Sequence, residues 1–409
     1  GAKLSYEISG KPGIPWVDDK QFDNLQLITP AEGKLKVRTI DEYLPIIPHV
    51  FFDEGNNSIP QRYVQLDNAT AKGFNEGTLY TSAAAKKTGK GTKNIEQMNA
   101  YYNILNVFAA RMRENSSEKL NLIGSSPKDN SGQTIADNVK KYLVDVFGID
   151  ANRITTEGRE LPRVPSGTAA TPAQFKPLLD QENRRVEFIF ANKDMLKPVK
   201  IQSEEITSVD NDLVFSFPNF QNVSNWTVNV NGEKGTYTYG PFTDNVERID
   251  PAPLMTDVEE GVYTANVVIN TKDGKQTLES RRFRLEKVYM KNVAQRFSIV
   301  FDYGKADAVK GYESVIRGEI APKVQTNDFV NVKGHTDNIG NPQGNLKLSQ
   351  DRANEVKDMM KDQFSKDNKT IDVRAYGFGE NTSHSPFKNN LSEGRFYNRS
   401  VVMEIFPIE

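Results

Sequence analysis

Apolar and polar positions follow one order of elements twice along the chain. Phe297, Ile299 and Phe301 alternate as a strand does, and Val309, Tyr312, Val315, Ile316 and Ile320 fall on a helical stripe. Phe329-Val330-Asn331-Val332-Lys333 alternates again. Ala353, Val356, Met359, Met360 and Phe364 make a second helical stripe. Strands at 371–376 and 400–406 close the series. Much earlier, a strand at 46–55 runs into a turn. A stripe of Ile95, Met98, Tyr101, Tyr102, Leu105, Phe108 and Met112 follows it. Then come a strand at 120–124, a helix carrying Ile135, Ala136, Val139, Leu143 and Val146, a strand at 153–158 and a last one at 183–190. The chain therefore holds an internal repeat.

Between the repeats the period is two throughout. Leu213–Pro218, Trp226–Val230, Val262–Ile269 and Ser280–Leu285 alternate between turn residues, and Asp273-Gly274 is a strong hairpin signal. Trp226 begins an alternating strand and so reads as a core residue. Gly261-Val262-Tyr263 followed by that hairpin resembles immunoglobulin-like domains of bacterial surface proteins. Residues 1–45 are irregular, with a hairpin expected between 25–28 and 35–38 around Pro30–Gly33.

The candidate chemistry lies between Asn331 and Ala353. A strand runs out through Gly334-His335-Thr336-Asp337 into a polar loop, and Ser349 stands as the expected N-cap of the following helix. Arg352 then falls in the first helical turn. Asp337 offers a carboxylate to a cation, Arg352 offers a planar fork to a carboxylate, and free amides at the helix start add a favourable field. A ligand with both an ammonium and a carboxylate would match. The competing reading is a surface loop with an Asp–Arg salt bridge.

Gly334-His335-Thr336-Asp337, Asn345-Leu346-Lys347-Leu348-Ser349, Arg352-Ala353, Tyr376-Gly377-Phe378-Gly379-Glu380 and Glu393-Gly394-Arg395-Phe396-Tyr397-Asn398-Arg399 together resemble the OmpA-like peptidoglycan-binding domain. The resemblance implies a βαβαββ-type fold that binds the diaminopimelate of the peptide stem without covalent chemistry. Carried across, Asp337 holds the ammonium, Arg352 the carboxylate, and Thr336 and Asn345 line the pocket. Leu348, Arg395 and Arg399 are further candidates from the same motifs. Ser400 departs from the pattern, where a second arginine is usual, and is expected to weaken only a surface contact.

The first repeat resembles the same family but has lost the pocket residues. Laying Gly124 on Gly334 puts Pro127 at Asp337, and laying Ala136 on Ala353 puts Ile135 at Arg352. Asp129 or Lys128 is the remaining candidate to compensate. The expected architecture is α+β: an arm at 1–45, a degenerate OmpA-like domain at 46–192, an immunoglobulin-like spacer at 193–287 and a peptidoglycan-binding OmpA-like domain at 288–409. An insertion at 56–93 ends in a glycine-punctuated lysine loop, read as solvated and lacking the order of a phosphate loop.

Bulk numbers narrow the function. A chain of 409 residues suggests about three domains. Lysine and arginine number 52 against 54 acids, which gives no reason to propose nucleic acid. There is no cysteine, so no disulfide or thiolate site, and the three histidines have no metal-type spacing. No apolar run reaches the roughly 18–20 residues that span a bilayer. The Gly1-Ala2-Lys3-Leu4 start points to a processed or truncated species. The expectation is a non-enzymatic periplasmic protein on the outer membrane or cell wall, with no cofactor. The alternative is a docking subunit of an envelope complex whose ligand is another protein. Asp337 and Glu380 as a hydrolytic carboxylate pair is the weakest reading.

Overall fold

The structure, a computed structural model, describes residues 25–79, 95–206, 211–303, 309–382 and 384–407. Residues 1–24 of the arm and the lysine loop at 83–93 lie outside them. The fold is α+β, with several sheets and helices. The chain divides into two compact units.

Residues 25–39 and 204–292 belong to the first unit. Its strands form two sheets. Gln26–Ile28, Leu213–Ser216 and Val246–Ile249 pair antiparallel. Gly235–Phe242, Val223–Gly232, Glu260–Thr271 and Gln276–Tyr289 form a second antiparallel run, which residues 34–37 extend in parallel. Inner faces of both contribute to one core around Trp226, Phe215, Phe217, Tyr263 and Phe283. Trp226 is fully buried, and its indole N–H donates to the Asp244 carbonyl at 2.8 Å. The hairpin expected within the arm does not form. Residues 26–28 pair with Leu213–Ser216 in one sheet and 34–37 with residues 286–289 in the other, so the two segments are drawn into different sheets.

Residues 40–79, 95–203 and 293–407 belong to the second unit, which contains both repeats. In the first repeat, strands β1 (His49–Phe51), β2 (Leu120–Ser125), β3 (Ile154–Arg159) and β4 (Arg185–Phe190) lie in the order β1-β4-β2-β3. Helix α1 (Gly132–Phe147) joins β2 to β3, and α2 (Lys176–Asn183) precedes β4. In the second repeat, β5 (Ala294–Val300), β6 (Asp328–Gly334), β7 (Asp372–Gly377) and β8 (Ser400–Pro407) lie in the order β5-β8-β6-β7. Helix α3 (Pro342–Lys366) joins β6 to β7, and α4 (Ser392–Asn398) precedes β8. Directions match as well: the last pairs β2–β3 and β6–β7 are parallel, and the other pairs antiparallel.

The register between strand and helix is the same in the two repeats because glycine lets the backbones touch. A Cβ on Gly334 would stand 2.0 Å from the Ser349 carbonyl, and one on Gly124 would stand 1.9 Å from the Gly132 carbonyl. Gly377 and Gly158 likewise press on the backbone nitrogens of Gln350 and Gln133. Counting along both helices from these contacts sets Ile135 against Arg352. Phe52 N–H donates to the Arg184 carbonyl as Phe301 N–H does to that of Arg399, which pairs those two arginines.

The described part of the insertion is folded onto the first repeat. Ile59, Tyr63, Ala71 and Leu79 enter the core of the first repeat, and Asp67 caps the short helix Asn68–Gly73 by accepting from Thr70 N–H at 2.7 Å. Phe396 and Tyr397, from α4 of the second repeat, are also part of that core. The two repeats are thus packed against one another through α2 and α4.

Candidate functional site

Strand β6 ends at Gly334, and the next three residues turn inward below the start of α3. Thr336 N–H donates to the Gly379 carbonyl at 2.9 Å. Asp337 is 3 % exposed, so its carboxylate needs internal partners. Its Oδ2 accepts from Arg399 Nη1 at 2.6 Å and its Oδ1 from Ile339 N–H at 3.1 Å. Asn345 holds the loop: its Nδ2 donates to Glu380 Oε2 at 2.6 Å and reaches the carbonyls of Asp337 and Ile339 at 3.4 Å.

Helix α3 starts earlier than expected. Pro342 occupies its first turn, and the Asn341 side chain caps it by accepting from Gln343 and Gly344 N–H. Ser349 is therefore no cap. It is buried, and its hydroxyl accepts from Gly379 N–H at 2.8 Å while donating to the Leu346 carbonyl. Arg352 lies nearly three turns inside the helix, so the free amides of the helix start do not reach its ligand. The Asn341-Pro342 pair was the better start signal. Arg352 is 4 % exposed, with its guanidinium over the Phe301 ring at 4.3 Å.

The charges in this hollow act on one another. Burial pushes the Asp337 carboxyl up, and the Arg399 guanidinium only partly offsets it. Burial, with Arg399 nearby, pulls Arg352 down to about 10, against the pull of Asp337. The structure thus brings Asp337, Arg352 and Arg399 into one buried electrostatic group. Thr336 Oγ1 is buried beside them with no hydrogen-bond partner among the described residues. Leu348 is half-buried on α3, one turn before Arg352.

Arg395 is not brought to this group. Its guanidinium is spent on the first repeat and on the loop before its own helix: Glu182 Oε1 at 2.7 Å, the Leu178 carbonyl at 3.0 Å and the Asn389 carbonyl at 3.0 Å. Ser400 is buried, so the departure there falls inside the domain and not on its surface. Glu182 is a residue that sequence reasoning missed. It lies immediately before Asn183-Arg184-Arg185, and only the packing of α2 on α4 brings it to Arg395 and Arg399.

In the first repeat Arg184 has its own acid. Its Nη1 reaches both oxygens of Asp129 at 2.9 Å, and hydrogen bonds from Ser126 and Ser131, with Arg184, hold that carboxyl low against a small burial effect. Asp129 therefore restores the acid–arginine pair that Pro127 cannot make. Ile135, fully buried, leaves no cation at the other position. Lys128 turns instead to Glu54 at 2.8 Å.

Among the described residues, no cluster of His, Asp and Glu is placed to hold a metal ion, and no helix is long and apolar enough to cross a membrane. What the second repeat defines is a βαβ-type domain with a buried acid–arginine cluster at the end of its central strand. Its sequence matches a known family: residues 300–399 are an OmpA family domain.

The chain is 27 % identical over 179 residues to outer membrane porin F of Pseudomonas aeruginosa, a match covering 43 % of this chain and 47 % of the relative. It thus spans about half the length of that curated relative. Among solved structures, the peptidoglycan-associated lipoprotein of Burkholderia pseudomallei is similar at 19 % identity and TM-score 0.23, covering 26 % of this chain and 88 % of that one. The cell wall anchor of the T6SS from Pseudomonas aeruginosa shares 23 % identity at TM-score 0.21, covering 37 % and 84 %. The periplasmic domain of Helicobacter pylori MotB shares 16 % at TM-score 0.21, covering 35 % and 80 %. Scores this low add nothing to what the residues themselves argue.

Proposed function

We propose that the protein is a non-enzymatic component of the bacterial cell envelope that binds peptidoglycan through residues 288–409. The observation that carries this reading is the buried group of Asp337, Arg352 and Arg399 on an OmpA family domain. Asp337 takes the ammonium of a stem-peptide diaminopimelate, and Arg352 takes the adjoining carboxylate. Asn345 and Thr336 shape the loop between them. A ligand carrying both charges meets a desolvated acid and a desolvated guanidinium at once, where a singly charged one meets only one of them. The first repeat is a degenerate copy of the same domain, since Ile135 offers a carboxylate nothing. The sheets of 204–292 serve as an immunoglobulin-like spacer. Such a protein works in the periplasm, at the cell wall.

Co-sedimentation with purified insoluble peptidoglycan tests the reading. The intact chain should pellet, while Asp337→Ala and Arg352→Ala, folded by circular dichroism, should stay in solution. Equal pelleting of all three would move the binding elsewhere in the chain. A folded intact chain that does not pellet would end the wall reading and favour a protein partner.

A further inference from the structure

The acid that completes this cluster comes from the other repeat. Glu182, on α2, is fully buried, and besides a hydrogen bond with Ser166 of its own repeat its carboxylate reaches the second repeat. Oε1 accepts from Arg395 Nε at 2.7 Å, and Oε2 accepts from Arg399 Nη2 at 3.2 Å. Arg399 Nη1 donates to Asp337 Oδ2 at 2.6 Å and also reaches Glu182 Oε1 at 3.4 Å. No side chain in this chain of contacts is more than 5 % exposed. One guanidinium is therefore shared between the acid of the site and an acid of the neighbouring repeat.

From this arrangement we infer that Glu182 is a positioning residue for the ammonium half of the site, and that it sets how strongly the domain distinguishes stem peptides by charge. The inference rests on the reading of Asp337 and Arg352 as an ammonium and carboxylate clamp. The physical argument is one of shared charge. In a desolvated cluster, each charge acts on its neighbours with little screening. While Glu182 holds one face of Arg399, the positive charge of that guanidinium is divided between two carboxylates. Asp337 then keeps negative potential for an incoming ammonium. Without Glu182, Arg399 neutralises Asp337 alone and the ammonium is less welcome. The carboxylate half responds in the opposite sense, because Glu182 repels an anion and its loss relieves that repulsion. A purely structural acid at a repeat interface would not produce two effects of opposite sign.

The molecule supplies its own control. Glu393 on α4 crosses the same interface the other way and is equally buried. Its Oε1 accepts from Arg62 Nε at 2.6 Å and from the Tyr63 hydroxyl at 2.9 Å, in the first repeat. It makes the same kind of inter-repeat contact without touching Arg399 or Asp337.

The test is calorimetric titration of the full chain with two soluble probes. One is the stem tripeptide ending in meso-diaminopimelate, and the other is the same tripeptide ending in lysine, which has the ammonium but not the distal carboxylate. The readout is the ratio of the two affinities, which a lower folded fraction leaves unchanged. In Glu182→Gln the lysine peptide should weaken about tenfold and the ratio favouring diaminopimelate should rise by about the same factor, the size of one charge-assisted hydrogen bond. Glu393→Gln should leave the ratio within about twofold. Arg395→Gln, which gives Arg399 the whole of Glu182, should move the ratio the other way and serves if Glu182→Gln does not fold. An unchanged ratio in Glu182→Gln, or an equal change in Glu393→Gln, overturns the inference. Asp337→Asn separates the two claims. If it leaves both affinities intact, the clamp itself fails. If it abolishes them while the ratio in Glu182→Gln holds at the parent value, only the role of Glu182 fails.

Discussion

Replacing Gly334 by alanine perturbs the site without touching any charged group. The new Cβ would lie 2.0 Å from the Ser349 carbonyl and 3.2 Å from the Ser349 Cα, where ordinary contacts begin at 3.4 Å. The obstacle is backbone in the middle of a 25-residue helix, so no side chain can swing aside. Strand β6 and helix α3 must part by roughly an ångström or more to regain normal separation. That lifts Ala353, Val356 and Met360 from Val330 and Val332, which share the core of the second repeat. Overpacking costs about 1–3 kcal/mol where side chains can adjust, and a rigid backbone neighbour puts this case at about 3 kcal/mol or above. The same movement carries Arg352 away from Asp337, so stem-peptide binding should fall even in the fraction that folds. Urea unfolding followed by fluorescence gives the stability change, and titration with the diaminopimelate tripeptide gives the binding change. Gly318→Ala is the control: it is exposed in a helical turn with open space at its Cβ, and should be neutral or gain about 0.5–1 kcal/mol. A Gly334→Ala chain within 1 kcal/mol of the parent, binding as tightly, would refute the claim that this contact sets the geometry of the site (about 0.6 kcal/mol is one RT, so smaller shifts decide nothing).

His49 gives a pH prediction. Burial first, then the guanidiniums of Arg185 and Arg399, hold its imidazole well below the usual range, while Glu187, 3.6 Å away, is engaged by Arg185. The folded state therefore resists the proton that the unfolded chain accepts below about pH 6.5, and stability falls on acidification by up to about 1.4 kcal/mol per pH unit. His49→Gln should remove that part of the slope between pH 6.5 and 5 in urea melts, and an unaltered slope would show that another group titrates there. Trp226→Ala should cost about 3–5 kcal/mol in thermal or urea unfolding, because it empties the centre of the core shared with Phe215, Phe217 and Phe242 and leaves the Asp244 carbonyl without its indole donor. A loss below 1 kcal/mol would mean that the site collapses around the gap.

What could be read along the chain was whatever depends on spacing alone. The two periods, two and 3.6, marked both repeats and the intervening strands, because each element must present one apolar side to a core. The glycine, aspartate and arginine of the motif had to stand at those separations for a strand, a loop and a helix to carry them to one place. Helix starts were read less well. Ser349 has the chemistry of a cap, but helix formation from Asn341-Pro342 had already claimed it for the interior. The loss of Pro127 at the acid position was visible. Asp129 and Lys128 both stood close enough to compensate, and only the folded loop, which turns Asp129 to Arg184 and Lys128 to Glu54, decides between them, because a loop can deliver a charge from more than one position. The least legible part was Glu182. Its role is set by a contact 217 residues apart in sequence, and nothing local to α2 indicates that its acid belongs to Arg399. The sequence by itself determined the elements, their order and which residues could hold charge. Only the tertiary structure decided which charges share a buried space, since that depends on how two helices from distant repeats pack together.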